Sequence, residues 1–186
     1  MQPFSRLALS ILLAHLLGDF ALQTPSMVQG KAKGVGAYLS HGAIHLLALG
    51  LSVAAFGGLE WLADGWFWIL SPLYVMVHLG IDGIRQKLVA WGRVADSASV
   101  FIADQALHIS TIIVLAWALV RPSRFSIRSQ FSWSPATGEK ILLAGIVYLT
   151  VVFAGGYLIR YLTRIWPRES RSQGRLRNRS KMQGCT

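Results

Sequence analysis

The chain has 186 residues, of which 53% are hydrophobic, and a formal net charge of +10. Its charged residues fall in a few short stretches, mainly near the C-terminus, which argues against two soluble domains and indicates one compact membrane bundle. The basic residues flank apolar segments, as expected of topology signals, so the positive charge gives no reason to expect a nucleic-acid partner.

Five apolar stretches are each close to the length of about 20 residues that an α-helix needs to cross a bilayer. They cover residues 4–23, 37–56, 66–84, 99–120 and 141–162. We therefore predict an all-α integral membrane bundle of about five transmembrane helices over residues 1–165, surrounded by the lipid bilayer. Residues 166–186 form a basic tail that we expect to be disordered and able to contact anionic lipids.

Helix breakers and small residues organise the stretches between and within these spans. Pro25 and the glycines after it mark the joint between the first two helices, and a second glycine-rich joint precedes the third. The polar stretch 121–140 is either a short strand or an interfacial loop. Gly18, Gly80 and Gly83 lie inside predicted helices, where a missing side chain lets two helices approach closely.

The distribution of basic residues predicts the orientation of the bundle. Five crossings place the two termini on opposite sides of the membrane. With the C-terminus inside, 13 Lys and Arg residues lie on the inner side and 5 on the outer side. The excess of positive charge on cytoplasmic segments therefore favours an outside N-terminus and a cytoplasmic C-terminus.

All five histidines lie inside the apolar stretches, each four residues from another potential ligand. The pairs are His15 with Asp19, His41 with His45, His78 with Asp82, and Asp104 with His108. Residues four apart share one face of a helix. Ionisable groups in apolar helices are costly unless they pair, face water or bind a cation. A single such pair is more often a polar contact between helices than a ligand set.

The four pairs are predicted to converge on one side of the membrane. They lie at the end of the first span, the start of the second, the end of the third and the first half of the fourth. Antiparallel neighbours bring the end of one helix beside the start of the next, so all eight groups meet. Gln23, Gln86 and Gln105 extend the same polar faces. Convergence of four pairs favours a functional polar site.

A divalent metal explains this set best. Neutral imidazole and carboxylate are ligands of zinc, with manganese or iron as alternatives. Eight groups exceed the four ligands of one tetrahedral zinc, so either two ions bind or some carboxylates orient the histidines. Asp19, Asp82 and Asp104 are also the candidate catalytic groups, each as ligand or general base. The predicted metal ligands are His15, Asp19, His41, His45, His78, Asp82, Asp104 and His108.

Four segments carry a resemblance to a known family. They are LLAHLLGDFALQ (12–23), LSHGAIHLL (39–47), HLGIDGIRQKL (78–88) and FIADQALHI (101–109). In order and spacing they resemble the bacterial membrane family known as domain of unknown function 3307, over roughly the first four helices. The resemblance implies an integral membrane protein whose His and Asp positions correspond to the eight residues above, and it implies no reaction. A weaker likeness is to membrane-bound metal-dependent hydrolases.

The leading hypothesis is metal-dependent hydrolysis of a membrane-associated, phospholipid-like substrate. The first alternative is a proton- or metal-coupled transporter, although no inverted repeat or broken-helix pair is visible. The second alternative is a haem protein with axial histidines on facing helices. Aspartates one turn from so many histidines suit a hard metal better than an apolar haem pocket.

Overall fold

The structure, a computed structural model, describes residues 3–31, 34–120 and 135–164. These ranges contain helices and no β-strand, and five helices are long and apolar enough to cross a membrane. The spans are Phe4–Ala21, Val35–Gly57, Gly65–Ala90, Ala98–Val120 and Thr137–Thr163. The predicted all-α bundle of five spans is confirmed. The basic tail predicted over 166–186 and residues 121–134 of the predicted strand or loop lie outside the described residues. Residues 135–140 of that stretch are the start of a helix, because Pro135 suits the first position of a helix, so the strand or loop predicted there is wrong.

Three of the five spans combine an α-helix with a wider π-helical turn. The π-helical turns are Leu17–Ala21, Val53–Gly57 and Thr150–Ala154, and a short 3-10 turn, Leu59–Ala63, precedes the third span. The α-helices are α1 (Pro3–Leu16), α2 (Pro25–Lys31), α3 (Val35–Ser52), α4 (Gly65–Ala90), α5 (Ala98–Val120), α6 (Pro135–Leu149) and α7 (Gly155–Arg164).

Helix α4 is longer than the predicted apolar stretch. It continues for six residues past position 84, and this extension begins with polar side chains. Asp64 caps its start, where the carboxylate accepts a hydrogen bond from the backbone N–H of Trp66 at 2.9 Å. Gly92 follows its end with a φ of +66°, a left-handed conformation that favours glycine. The extension carries Arg85 and Gln86 beyond the apolar segment at the end of the bundle that holds Asp82.

The joint between the first two spans is itself partly helical, which the sequence analysis did not predict. Pro25 occupies the first position of α2, where its fixed φ suits a helix and its missing N–H costs nothing. This helix packs against α3. Its last residue, Lys31, is buried, although a lysine between two membrane spans is expected to face water.

Helix α1 lies at the centre of the bundle and packs against α3, α5 and α6. Leu7 and Ile11 of α1 are fully buried in a core shared with α3, α4 and α5. At the end of α1 opposite Asp19, Arg6 forms an ion pair of 3.1 Å with Glu139 of α6. Large apolar side chains on the outer faces are exposed, which suits contact with lipid. The central position of α1 brings its polar end beside three other helices.

Candidate metal centre

The five histidines and three aspartates lie together at one end of the bundle, and each histidine is at most 1% exposed. In three overlapping groups, one potential ligand atom from each residue lies within 4.8 Å of those of the others. The groups are His15, Asp19, His45 and His78; Asp19, His41, His78 and Asp82; and Asp82, Asp104 and His108. The predicted convergence is therefore present, and the assignment of these groups as metal ligands stays a prediction.

Asp19 occupies the centre of the cluster. Its Oδ1 atom lies 3.0 Å from His45 Nε2, 3.2 Å from His41 Nε2 and 3.3 Å from His78 Nε2. Its Oδ2 atom lies 3.5 Å from His15 Nε2. Asp19 belongs to a π-helical turn, a feature that is frequent at functional sites. One carboxylate thus faces four imidazoles from three spans.

Distances within the second group match tetrahedral coordination. The Nε2 atoms of His41 and His78 are 3.3 Å apart, and His41 Nε2 lies 3.4 Å from Asp82 Oδ2. The contacts of Asp19 Oδ1 with the same two nitrogens are 3.2 and 3.3 Å. Four ligands at about 2.0–2.1 Å from zinc form a tetrahedron with edges of about 3.3 Å. The four measured edges agree with that value.

Several atoms of the cluster are buried without a hydrogen-bond partner among the described residues. They are both ring nitrogens of His15, Nε2 of His108 and Oδ1 of Asp104. Buried polar side-chain atoms in folded proteins have a partner in the large majority of cases, and each exception asks for an explanation. An imidazole or carboxylate lone pair that lacks a proton donor can bind a metal ion instead. The residues present therefore fit a divalent metal in both chemistry and spacing.

Gly18 permits the close packing of this cluster. A β-carbon at position 18 would lie 2.6 Å from Cε1 and Nε2 of His45, far inside van der Waals contact. A β-carbon at position 83 would make only an ordinary contact with Tyr38, at 3.7 Å. One at position 80 would meet nothing within 4 Å, so the close approach predicted for Gly80 is wrong. Only at position 18 does the site itself require glycine.

The three predicted polar glutamines all contact this region. Gln23 Nε2 lies 3.3 Å from His41 Nδ1. The Oε1 atom of Gln86 accepts a hydrogen bond of 3.0 Å from the hydroxyl of Tyr38. Gln105 donates to the carboxylate of the aspartate before it, at 3.2 Å. The contacts of Gln23 and Gln105 orient His41 and Asp104, and the hydrogen bond between Gln86 and Tyr38 lies at the edge of the cluster.

Lys31 is a member of the site, whereas its sequence position predicts a flanking positive charge that is close enough to the site to meet a phosphate. Its Nζ atom forms an ion pair with Oδ2 of Asp82, and its side chain is 2% exposed. Lys87, which the sequence places at the same end, is exposed. Pro25 could have indicated that Lys31, unlike Lys87, is buried, because a helix that starts at Pro25 brings position 31 back toward the bundle.

A cavity of about 450 Å³ opens beside the cluster. Asp19, Asp82 and Asp104 line it, while the histidines lie behind these carboxylates. Arg85 and Arg160 line the same cavity and were not predicted as site residues. The buried histidines therefore form the inner side of the site. Asp19, Asp82 and Asp104 form a carboxylate layer between the histidines and the cavity, and Arg85 and Arg160 form the mouth of the cavity.

The closest imidazole rings leave no room for a haem between them. Ring centroids are 4.0 Å apart for His45 and His78, 4.4 Å for His78 and His108, and 4.5 Å for His41 and His45. These contacts leave no porphyrin-sized gap between the rings, as axial ligation from two sides would need. The geometry favours compact ions over a flat cofactor.

Comparison with known proteins identifies a family and no function. The family model described as "Protein of unknown function (DUF3307)" matches residues 7–134, which include all eight residues of the cluster. No curated protein and no solved structure matches the chain. The match covers more than half of the sequence, and the chain therefore belongs to the DUF3307 family of proteins of unknown function.

Proposed function

We propose that this protein is a membrane-embedded, metal-dependent hydrolase that acts on a membrane-associated, phospholipid-like substrate. The observation that carries the proposal is the buried His–Asp cluster, with ligand spacing close to that of a tetrahedral metal site. Three of its carboxylates reach a cavity large enough for a small ligand group. A buried ligand set that is open on one side is what a catalytic metal site requires.

In this proposal the histidines and Asp19 hold the metal, and zinc is preferred over manganese or iron. The Asp19 carboxylate, with imidazoles on both of its oxygens, is suited to bind or bridge ions. A bound divalent ion would supply a Lewis acid for a phosphoryl oxygen and would make a nearby water more acidic. The chain's own task is then to fix the ligands and to exclude bulk water from the histidines.

Asp104 is the best candidate for the general base. Its Oδ1 atom has no hydrogen-bond partner among the described residues, and its Oδ2 atom is held by Gln105. The residue also lines the cavity, on the side where substrate would bind. In hydrolysis, the water oxygen forms a bond to phosphorus as the ester P–O bond breaks. One water proton passes to Asp104, which returns it to the departing ester oxygen, so that this oxygen leaves as an alcohol.

The orientation of the bundle forms part of the proposal. The excess of basic residues on one side supports a cytoplasmic C-terminus in a bacterial inner membrane. The mouth of the cavity, with Arg85 and Arg160, lies at that same end. Substrate would then enter from the cytoplasmic leaflet.

The test combines metal analysis with an activity assay on detergent-purified protein. Wild type should retain close to stoichiometric zinc or manganese, and the His41→Ala/His45→Ala double variant should lose it. Lys87→Ala, an exposed change at the same end, is the matched control. Phosphate release from phosphatidic acid micelles should require the metal and should be lost in Asp104→Asn.

Two other results would contradict the proposal. Metal-dependent uptake into vesicles, with no phosphate release by the wild type, would instead support the transporter. Absence of bound metal in wild type and double variant alike would leave the cluster a structural polar core.

A further inference from the structure

Three cationic side chains surround the mouth of the cavity, next to the carboxylate layer. Lys31 comes from α2, Arg85 from α4 and Arg160 from α7, so three separate elements contribute one cation each. Lys31 is held at the inner end by its ion pair with Asp82. The cavity is thus lined by three cations as well as by the carboxylates of the candidate metal ligands.

Arg85 is held in place and still has donor capacity. Its Nη2 atom donates to the hydroxyl of Tyr161 at 3.0 Å and to Asp96 Oδ1 at 3.3 Å. Its Nε atom is buried without a hydrogen-bond partner among the described residues. A guanidinium that is positioned by its neighbours and has an unused N–H donor is suited to bind a planar or tetrahedral anion.

The formal charge of the cavity depends on the metal. Three cations and four carboxylates line it, because Asp96 also contributes to the wall. A single divalent ion on the carboxylate layer changes the formal sum from −1 to +1, and a second ion changes it to +3. With two ions bound, a terminal phosphate, with a charge of about −1.5 to −2 near pH 7, would offset the excess better than a singly charged diester.

One wall of the cavity is aromatic. Phe101 and Tyr157 stack at 6.0 Å between ring centroids, and Phe20 lies 5.8 Å from Tyr157. These rings line the same cavity as Arg160. An apolar wall next to a cationic mouth fits a molecule that has a charged end and an apolar remainder.

We infer that this cavity binds the terminal phosphate of a phosphomonoester, with Lys31, Arg85 and Arg160 as its anion ligands and the aromatic wall beside its apolar part. The inference rests on the proposed hydrolase function, because a bound metal is needed to offset the carboxylates. It extends that function by naming the substrate class and three residues that determine specificity.

The experiment measures binding by calorimetry with metal-loaded protein in detergent. The probes are a short-chain phosphonate analogue of phosphatidic acid, which cannot be hydrolysed, short-chain phosphatidylglycerol, and inorganic phosphate. The phosphonate should bind at least about ten-fold more tightly than phosphatidylglycerol. Arg160→Gln should weaken phosphonate binding by about ten-fold, as expected for loss of a charged hydrogen bond. Lys87→Gln removes the same charge from an exposed site at the same end and should change affinity less than two-fold.

Arg160 is exposed, so its replacement should leave folding and metal content unchanged, and Arg85→Gln provides a second variant. Inorganic phosphate that binds as tightly as the phosphonate would support the anion site and identify a soluble phosphomonoester. Tighter binding of the phosphonate would support a lipid. Equal affinity for phosphatidylglycerol, or equal losses in Arg160→Gln and Lys87→Gln, would overturn the inference. Bound metal without phosphonate binding refutes this inference alone, whereas absence of metal refutes the hydrolase proposal.

Discussion

Replacing Gly18 by alanine is the sharpest test of the packing around the cluster. The added β-carbon would lie 2.6 Å from two atoms of the His45 ring, whereas carbon atoms in contact normally lie about 3.5–4.0 Å apart. The ring must therefore move by about 1 Å, while metal–ligand distances tolerate only about 0.2 Å. We expect metal affinity to fall by at least about 10–100-fold, the loss seen when groups orienting a ligand are removed. Overpacking should also lower the free energy of unfolding by about 1–3 kcal/mol.

Gly80→Ala is the matched control for this variant. Its new β-carbon would meet no atom within 4 Å, and alanine is favoured over glycine inside a helix by about 1 kcal/mol. Metal content by mass spectrometry and thermal unfolding in detergent would be measured for both variants. If Gly18→Ala retains as much metal and stability as Gly80→Ala, the close packing of His45 on Gly18 does not position a ligand.

Four further predictions concern charge, catalysis, metal and topology. Lys31→Met should lower the free energy of unfolding by about 1–3 kcal/mol, because Asp82 loses its buried partner, whereas Lys87→Met should have little effect in the same thermal assay. Asp82→Asn preserves shape but removes a charge, so metal-dependent phosphate release should fall by about 100-fold or more while helix content by circular dichroism is unchanged. Chelation should lower the melting temperature of wild type, since an ion at 100 times its Kd adds about 2.7 kcal/mol, and should leave His41→Ala/His45→Ala unchanged. A reporter fused after Thr186 should be active only if it works in the cytoplasm, and periplasmic activity would reverse the proposed orientation.

Much of the fold could be predicted because span length and hydropathy are local properties. The first span ends at Ala21, two residues before the predicted end, and the fourth begins one residue early. The extension of α4 to Ala90 was missed because its polar last turns lower the hydropathy without breaking the helix. Helix α2 was missed because Pro25 was taken only as a breaker, although proline is also common at the first position of a helix.

The candidate site, like the fold, could be predicted only in part. Spacings of four residues within helices, together with antiparallel neighbours, were enough to group His15 with His45 and His78. The residues at the mouth of the cavity could not be predicted from such spacings. Arg85 meets Tyr161 across 76 positions of sequence, and the α7 register that aligns them follows from tertiary packing alone.

The π-helical turn Leu17–Ala21 fixes the rotational phase of the first span. A turn of this kind holds one residue more than an α-helical turn, so it accommodates one extra residue within the span. Deleting one residue from the regular α-helix between Ile11 and His15 has no such compensation and would rotate the two segments by about 100° relative to each other. Either Leu7 and Ile11 would then turn out of the core, or His15 would turn away from the other histidines. The number of residues between the core and Asp19 is therefore as strict a requirement as the identity of any side chain.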